Sequence, residues 1–104
     1  MFRLYKVVGA SMTPTLHQGD YVLCLTWPSF RFRKSQVVVV KHPRYQTIIK
    51  RIKRIKRVRD NRDYLLGGDN PRSTSSQELG FVTQENIVGL VLFKIANKHK
   101  SSSY

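Results

Sequence analysis

Acidic residues are scarce in this 104-residue chain. Six Asp and Glu stand against 19 Lys and Arg, for a formal net charge of +13. There is one cysteine, Cys24, and one tryptophan, Trp27. A single cysteine excludes an internal disulfide and any zinc finger built on paired cysteines. His17, His42, His99 and Cys24 lack metal-ligand spacing, so neither a metal nor another cofactor is expected. Long apolar runs are also missing. The longest stretch free of Asp, Glu, Lys and Arg is residues 7–19, and Ser, Thr, Pro, His and Gln interrupt it. A membrane-crossing helix needs about 18–20 apolar residues. Residues 1–6 carry two charges with no apolar segment after them, so no secretory leader is expected. The charge imbalance predicts weak contact with a polyanion or an acidic membrane surface and is silent on fold.

What is present suffices for a core. The chain is 40% hydrophobic and 11% aromatic, at a length that makes one domain. Short β-favouring runs at residues 5–8, 21–26, 36–40, 47–58, 64–66, 80–82 and 87–95 alternate with turn signals. Those signals include Gln18-Gly19-Asp20, His42-Pro43-Arg44, Asp60-Asn61 and Gln84-Glu85-Asn86. Four consecutive valines, Val37 to Val40, read as a strand buried on both faces. No amphipathic helix stands out. The fold expected is all-β, a small barrel or folded sheet over residues 1–96, with a frayed polar tail at 97–104.

The run from Lys50 to Arg59 holds seven basic residues in ten positions. Within it and just before it, Ile49, Ile52, Ile55 and Val58 recur every three residues, a period of neither strand nor helix. Their β-branching favours strand. On a regular strand Lys50 and Lys56 share a face and Lys53 points away, unless a bulge intervenes.

The segment Val8-Gly9-Ala10-Ser11-Met12-Thr13-Pro14-Thr15-Leu16 sets a hydroxyl in a turn of small residues just after a strand. Small neighbours let a substrate carbonyl reach both the hydroxyl and a backbone N–H that can stabilise an oxyanion. A serine also needs an adjacent base to become a nucleophile.

The pattern Ser11-Met12-x-Pro14-Thr15-Leu16-x-x-Gly19-Asp20 resembles the serine box of the type I signal peptidases. Ile48-Ile49-Lys50-Arg51-Ile52 resembles that family's lysine box. Gly68-Asp69-Asn70, Ser73, Gly80-Phe81-Val82 and Ile87-Val88-Gly89 resemble its C-terminal box. The resemblance spans residues 6–93. It implies an all-β Ser/Lys-dyad endopeptidase with Ser11 as nucleophile and Lys50 as general base. Ser73 matches a serine that orients the lysine amine. Gly9 stands where some members place an oxyanion-hole serine, which leaves that task to the Ser11 N–H. Met12 matches a residue packed beneath the substrate site.

Ser75-Ser76-Gln77 replaces the family's Asp-Ser-Arg, so its structural ion pair is expected to be missing. The loop between Gly68 and Gly80 is one residue shorter than usual. The wording Gly68-Asp69-Asn70-Pro71 and the small size resemble the soluble relatives assigned to nickel superoxide dismutase maturation. That likeness implies a cytoplasmic or membrane-peripheral monomer that removes a leader or propeptide from a precursor protein, cutting after small residues.

The chemistry of the residues is compatible. An ordinary lysine, with a pKa near ~10.4, is protonated at neutral pH. Burial lowers that value, and Arg51, Lys53 and Arg54 nearby are expected to push the same way. Other readings remain open. Ser11, His17 and Asp20 contain the elements of a triad, and Cys24 with His42 those of a thiol nucleophile. A basic β-barrel that binds nucleic acid or acidic surfaces would explain the charge. An autoproteolytic repressor-type domain would need a helix-turn-helix partner that 104 residues do not show. Trp27-Pro28-Ser29-Phe30 would be an apolar tip or simply core.

Overall fold

The computed structural model describes residues 1–26, 31–73 and 75–96. The tail expected at 97–104 and the Trp27–Phe30 tip lie outside the described residues. Seven strands form the architecture: β1 (Phe2–Lys6), β2 (Tyr21–Leu25), β3 (Val37–His42), β4 (Gln46–Val58), β5 (Asn61–Gly67), β6 (Phe81–Thr83) and β7 (Ile87–Ile95). They make one antiparallel sheet in the order β1-β2-β7-β3-β4-β5-β6. The fold is all-β, a folded sheet with β1 and β6 at its edges. A four-residue helix, α1 (Ser76–Leu79), interrupts the predicted loop before β6, capped by the Ser75 hydroxyl on the Glu78 N–H.

The valine run lies at the centre of the sheet. Val38 and Val40 enter one apolar cluster with Phe32, Ile52, Tyr64 and Leu66. Val37 packs against a second cluster of Val7, Met12, Leu16 and Val22. Side chains alternate across a strand, so a strand flanked by two cores must be apolar at every position. Gly89 on β7 permits this packing, because a Cβ there would strike the Leu25 carbonyl and come within 2.6 Å of the Cys24 sulfur.

A bulge explains the three-residue spacing on β4. Ile52 pairs with Leu66, but Arg54 pairs with Leu65, so Lys53 is the extra residue. Ile49 therefore meets the second cluster, while Ile52 and Ile55 both meet the first. Lys53 does not simply face away, as a regular strand would have it. Its stem lies against Gly67 and its ammonium is 3.9 Å from Asp69.

One region of sheet surface remains uncovered. Phe2 and Leu4 on β1, Tyr21 on β2, and Phe93 and Ile95 on β7 are exposed. The pairings Phe2↔Leu25, Leu4↔Leu23, Leu23↔Phe93 and Tyr21↔Ile95 put them on one face.

The bulge makes a sharp contrast between two aliphatic positions. Ile52 is fully buried, and Ile52→Ala should cost about 2–4 kcal/mol. Val58 at the strand's end is 45% exposed, and Val58→Ala should change stability by less than about 0.5 kcal/mol. Urea unfolding of the two variants measures both.

Candidate active site

The site is built on the loop that follows β1. The Val7 N–H donates to the Asp20 carbonyl at 2.7 Å and the Gly19 N–H to the Val7 carbonyl at 2.9 Å, which closes the loop at its base. Inside it, the Thr13 N–H and hydroxyl both donate to the Ala10 carbonyl. Met12 and Leu16 are buried and plug the loop into the second cluster, while Ser11 between them and the solvent stays half-buried. Gly9 has φ +83°, a conformation that side chains disfavour, which accounts for a glycine where a serine would be strained.

Gly68-Asp69-Asn70 braces this loop. The Asn70 backbone N–H donates to the Ser11 carbonyl at 2.9 Å. Its side-chain amide donates to the Ala10 carbonyl at 3.0 Å and the Thr13 hydroxyl at 3.1 Å. Gly68 packs so closely that a Cβ would strike both the Ser11 carbonyl and the Ser73 hydroxyl. Asp69 accepts the Thr15 hydroxyl and a two-pronged bond from Arg51, Nε and Nη2 each at 2.8 Å. Arg51 is the neighbour of Lys50 on β4. The ion pair expected to be lost with Ser75-Ser76-Gln77 thus has a counterpart elsewhere, between Arg51 and Asp69.

Lys50 is the decisive residue of the cleft. It is 6% exposed, and no hydrogen bond or carboxylate partners its amine among the described residues. Burial pushes the amine below the ordinary lysine value. Burial is the cause resolved for this shift, and the sequence expectation that Arg51, Lys53 and Arg54 add to it is not needed: Arg51 and Lys53 both lie within ion-pair distance of Asp69. Lys50 shares a cleft of about 240 Å³ with Ser11, walled by Tyr5–Val8 on one side and Thr47–Ile49 on the other.

The remaining candidates are placed as follows. Met12 is buried beside Val7, which itself lines the cleft. Ser73 lies against Gly68, with its N–H on the Asn70 carbonyl, and is not among the cleft-lining residues. Asp20 accepts the His17 N–H and closes the turn at Gly19. Cys24 and His42 sit on β2 and β3 with β7 between them. His42 bonds the Leu79 carbonyl through Nε2 and receives the Arg44 N–H at Nδ1. Burial raises the Cys24 thiol above its ordinary value, which suits inert packing. Among the described residues no group of three His, Cys, Asp or Glu side chains gathers as a metal site, and no helix is long and apolar enough to cross a membrane.

The sequence profile of the Peptidase S24-like family matches residues 2–92. The chain belongs to the Peptidase S24-like family. The match contains Ser11, Lys50 and the Gly68-Asp69-Asn70 brace, and it makes this a serine-peptidase-like protein. No curated protein matches the chain. The profile match is to this related family and does not reach the type I signal peptidases, whose C-terminal box Gly68-Asp69-Asn70 resembles. The bracing task of these residues is carried by a sequence signal of its own: a glycine next to Asp and Asn supplies close approach together with two side chains suited to binding backbone and hydroxyl groups.

Two stability measurements test these electrostatics. Arg51 and Thr15 hold the Asp69 carboxyl down at about 2. A lowered folded-state pKa stabilises above the unfolded value, near 4, and that contribution disappears as pH falls toward 2. Asp69→Asn should therefore lose of order 1–2 kcal/mol at pH 7, once the partial exposure of Arg51 is allowed for, and match the parent near pH 2. Lys50 has the opposite consequence. Its lowered pKa means that the proton is held less tightly in the folded state than in the unfolded one, so stability rises as pH climbs toward the unfolded lysine value. Lys50→Met should raise Tm at pH 7, and the gain should shrink by about pH 10.

Proposed function

We propose that the protein is a Ser/Lys-dyad endopeptidase in which Ser11 is the nucleophile and Lys50 the general base. The observation that carries this reading is a nearly buried lysine, without a charge partner, facing the same cleft as a serine on a braced turn. A neutral amine has the lone pair that an ammonium lacks. As Ser11 Oγ attacks the scissile carbonyl carbon, its proton passes to Lys50 Nζ. The Ser11 N–H, beside the open backbone of Gly9, stabilises the resulting oxyanion. When the tetrahedral intermediate collapses, the Lys50 ammonium returns the proton to the leaving amine. Water then repeats the sequence on the acyl-enzyme, with Lys50 again as base, and frees Ser11. The orienting role that the resemblance gives Ser73 rests on its place against Gly68, which in turn packs on the Ser11 carbonyl, and Met12 supports the floor of the site.

The cleft favours an extended peptide. Among the described residues β1 pairs only with β2, and β4 pairs with β5 only from Arg51 onward, so the β-edges beside Tyr5–Val8 and Thr47–Lys50 are open to backbone pairing there. About 240 Å³ is less than the roughly 300–1,000 Å³ of small-molecule sites and suits small side chains next to the cut. The substrate is a leader or propeptide of a precursor protein, and a short propeptide such as that of a nickel superoxide dismutase fits this chemistry.

Cleavage of a precursor peptide with small residues at the cut is the direct test. Ser11→Ala and Lys50→Met should each abolish it, with circular dichroism unchanged. The parent rate should rise with pH through the depressed lysine pKa, because only neutral Lys50 accepts the proton. Lys53→Met and Lys56→Met should retain most activity, and Ser73→Ala should lose less than Lys50→Met. Full activity in Ser11→Ala would overturn the assignment.

A further inference from the structure

The two strands that supply Lys50 and the brace continue well past the site. β3 covers β4 as far as Arg51, Ser35 and Gln36 bond the Ile52 backbone just beyond it, and past Ile52 the strand pairs with β5 alone among the described residues. β6 reaches β5 only between Asp63 and Leu65. The far end, residues 57–62, is thus the two-stranded tip of a ribbon, and the rows of Arg54 and Lys56, where β6 is attached, form its base. Arg57 and Arg59 are exposed on the tip and Arg54 and Lys56 on the base, while Arg62 is half-buried and its Nη1 donates to the Phe32 carbonyl at 3.4 Å.

Their arrangement works against the ribbon's own stability. Arg57 stands directly opposite Arg62, and like charges in that position repel. Asp63 stands opposite Lys56, yet the Lys56 ammonium lies over the Phe81 ring, 5.9 Å from its centre. Among the described residues no carboxylate forms an ion pair with any of the five cations. Strand alternation puts Arg54 and Lys56 on one face and Arg57 and Arg62 on the other.

We propose that this hairpin binds duplex DNA, its two-stranded tip entering the major groove, with Arg57 and Arg62 meeting phosphates from one face and Arg54 and Lys56, on the base at the groove's rim, from the other. The two-sided charge decides between anionic partners. A lipid surface touches one face at a time, and the exposed face of Phe2, Leu4 and Phe93 would suit it better than the ribbon. A groove has a phosphate wall on each side. The major groove of B-form DNA is about 12 Å wide and admits a two-stranded β-ribbon, whereas that of duplex RNA is too narrow. Phosphate contacts carry no sequence information, so binding is independent of sequence and steeply salt-dependent. The ribbon is at the opposite end of β4 from the Ser11 cleft, so the proposal stands apart from the peptidase reading.

Fluorescence anisotropy with a short labelled mixed-sequence duplex, titrated over a salt series, tests it. Arg54→Ser with Lys56→Ser empties one face, and Arg57→Ser with Arg62→Ser empties the other. Lys41→Ser with Arg44→Ser, exposed near the β3–β4 turn, removes the same charge elsewhere. Each ribbon pair should weaken binding about tenfold or more and reduce the salt slope by about 2, at roughly 0.9 per phosphate contact. The Lys41/Arg44 pair should lose less than about threefold, and an RNA duplex should bind more weakly than DNA. Equal loss in all three variants would reduce the effect to net charge and overturn the proposal. Loss from one face only, equal affinity for duplex RNA, or binding to phosphatidylserine vesicles without binding to DNA would overturn it as well.

Discussion

The two-pronged bond between Arg51 and Asp69 holds together the three pieces of chain that make the site. Charge-assisted, bidentate pairs are strong and directional. Asp69 also accepts the Thr15 hydroxyl, so one carboxylate joins the loop after β1, strand β4 and the loop after β5. Lys50 precedes Arg51, and fixing the guanidinium fixes the register at which the amine reaches the cleft. Asn70, the next residue after Asp69, holds the Ala10 and Ser11 carbonyls. One side of the cleft is therefore positioned through Arg51 and the other through Asn70, and the two meet in adjacent residues.

The same arrangement separates two opposite electrostatic environments. Asp69 is kept ionised by partners, whereas burial lowers the pKa of Lys50. In a chain with a charge of +13, the cause resolved for Lys50 is burial and not the surrounding cations. Two of its near neighbours in sequence, Arg51 and Lys53, share a counter-ion in Asp69. The basicity of the site therefore depends on packing around Ile48, Ile49 and Val7.

Much of the fold was legible because it depends on composition along a strand. The valine run, the Gly19-Asp20 turn and the apolar stretch at residues 87–95 each fix a local structure that the packed sheet keeps. The contacts that shape the site are long-range and were not legible. Nothing near Asp69 in sequence indicates that it will meet Arg51 and Thr15. The resemblance located Ser11 and Lys50, and the structure puts both in one cleft. It leaves Ser73 against Gly68 and outside the cleft lining, a separation that depends on the path of a loop and not on residue type. The bulge at Lys53 was hidden for another reason. Ile-Lys-Arg repeats around it, and any one of the repeats could have held the extra residue.

That bulge changes what a repeat length means for this strand. Three residues, Lys53 to Ile55, advance the pairing from Leu66 to Tyr64, only two places on β5. A unit of three ordinarily turns every later side chain to the wrong side of a sheet. With its bulge, this unit is an even step. Gain or loss of one bulged Ile-Lys-Arg unit would lengthen or shorten β4 while leaving Ile55 and Lys50 on their present sides. Strand length can then drift during evolution at the far end without disturbing the chemistry at the near one.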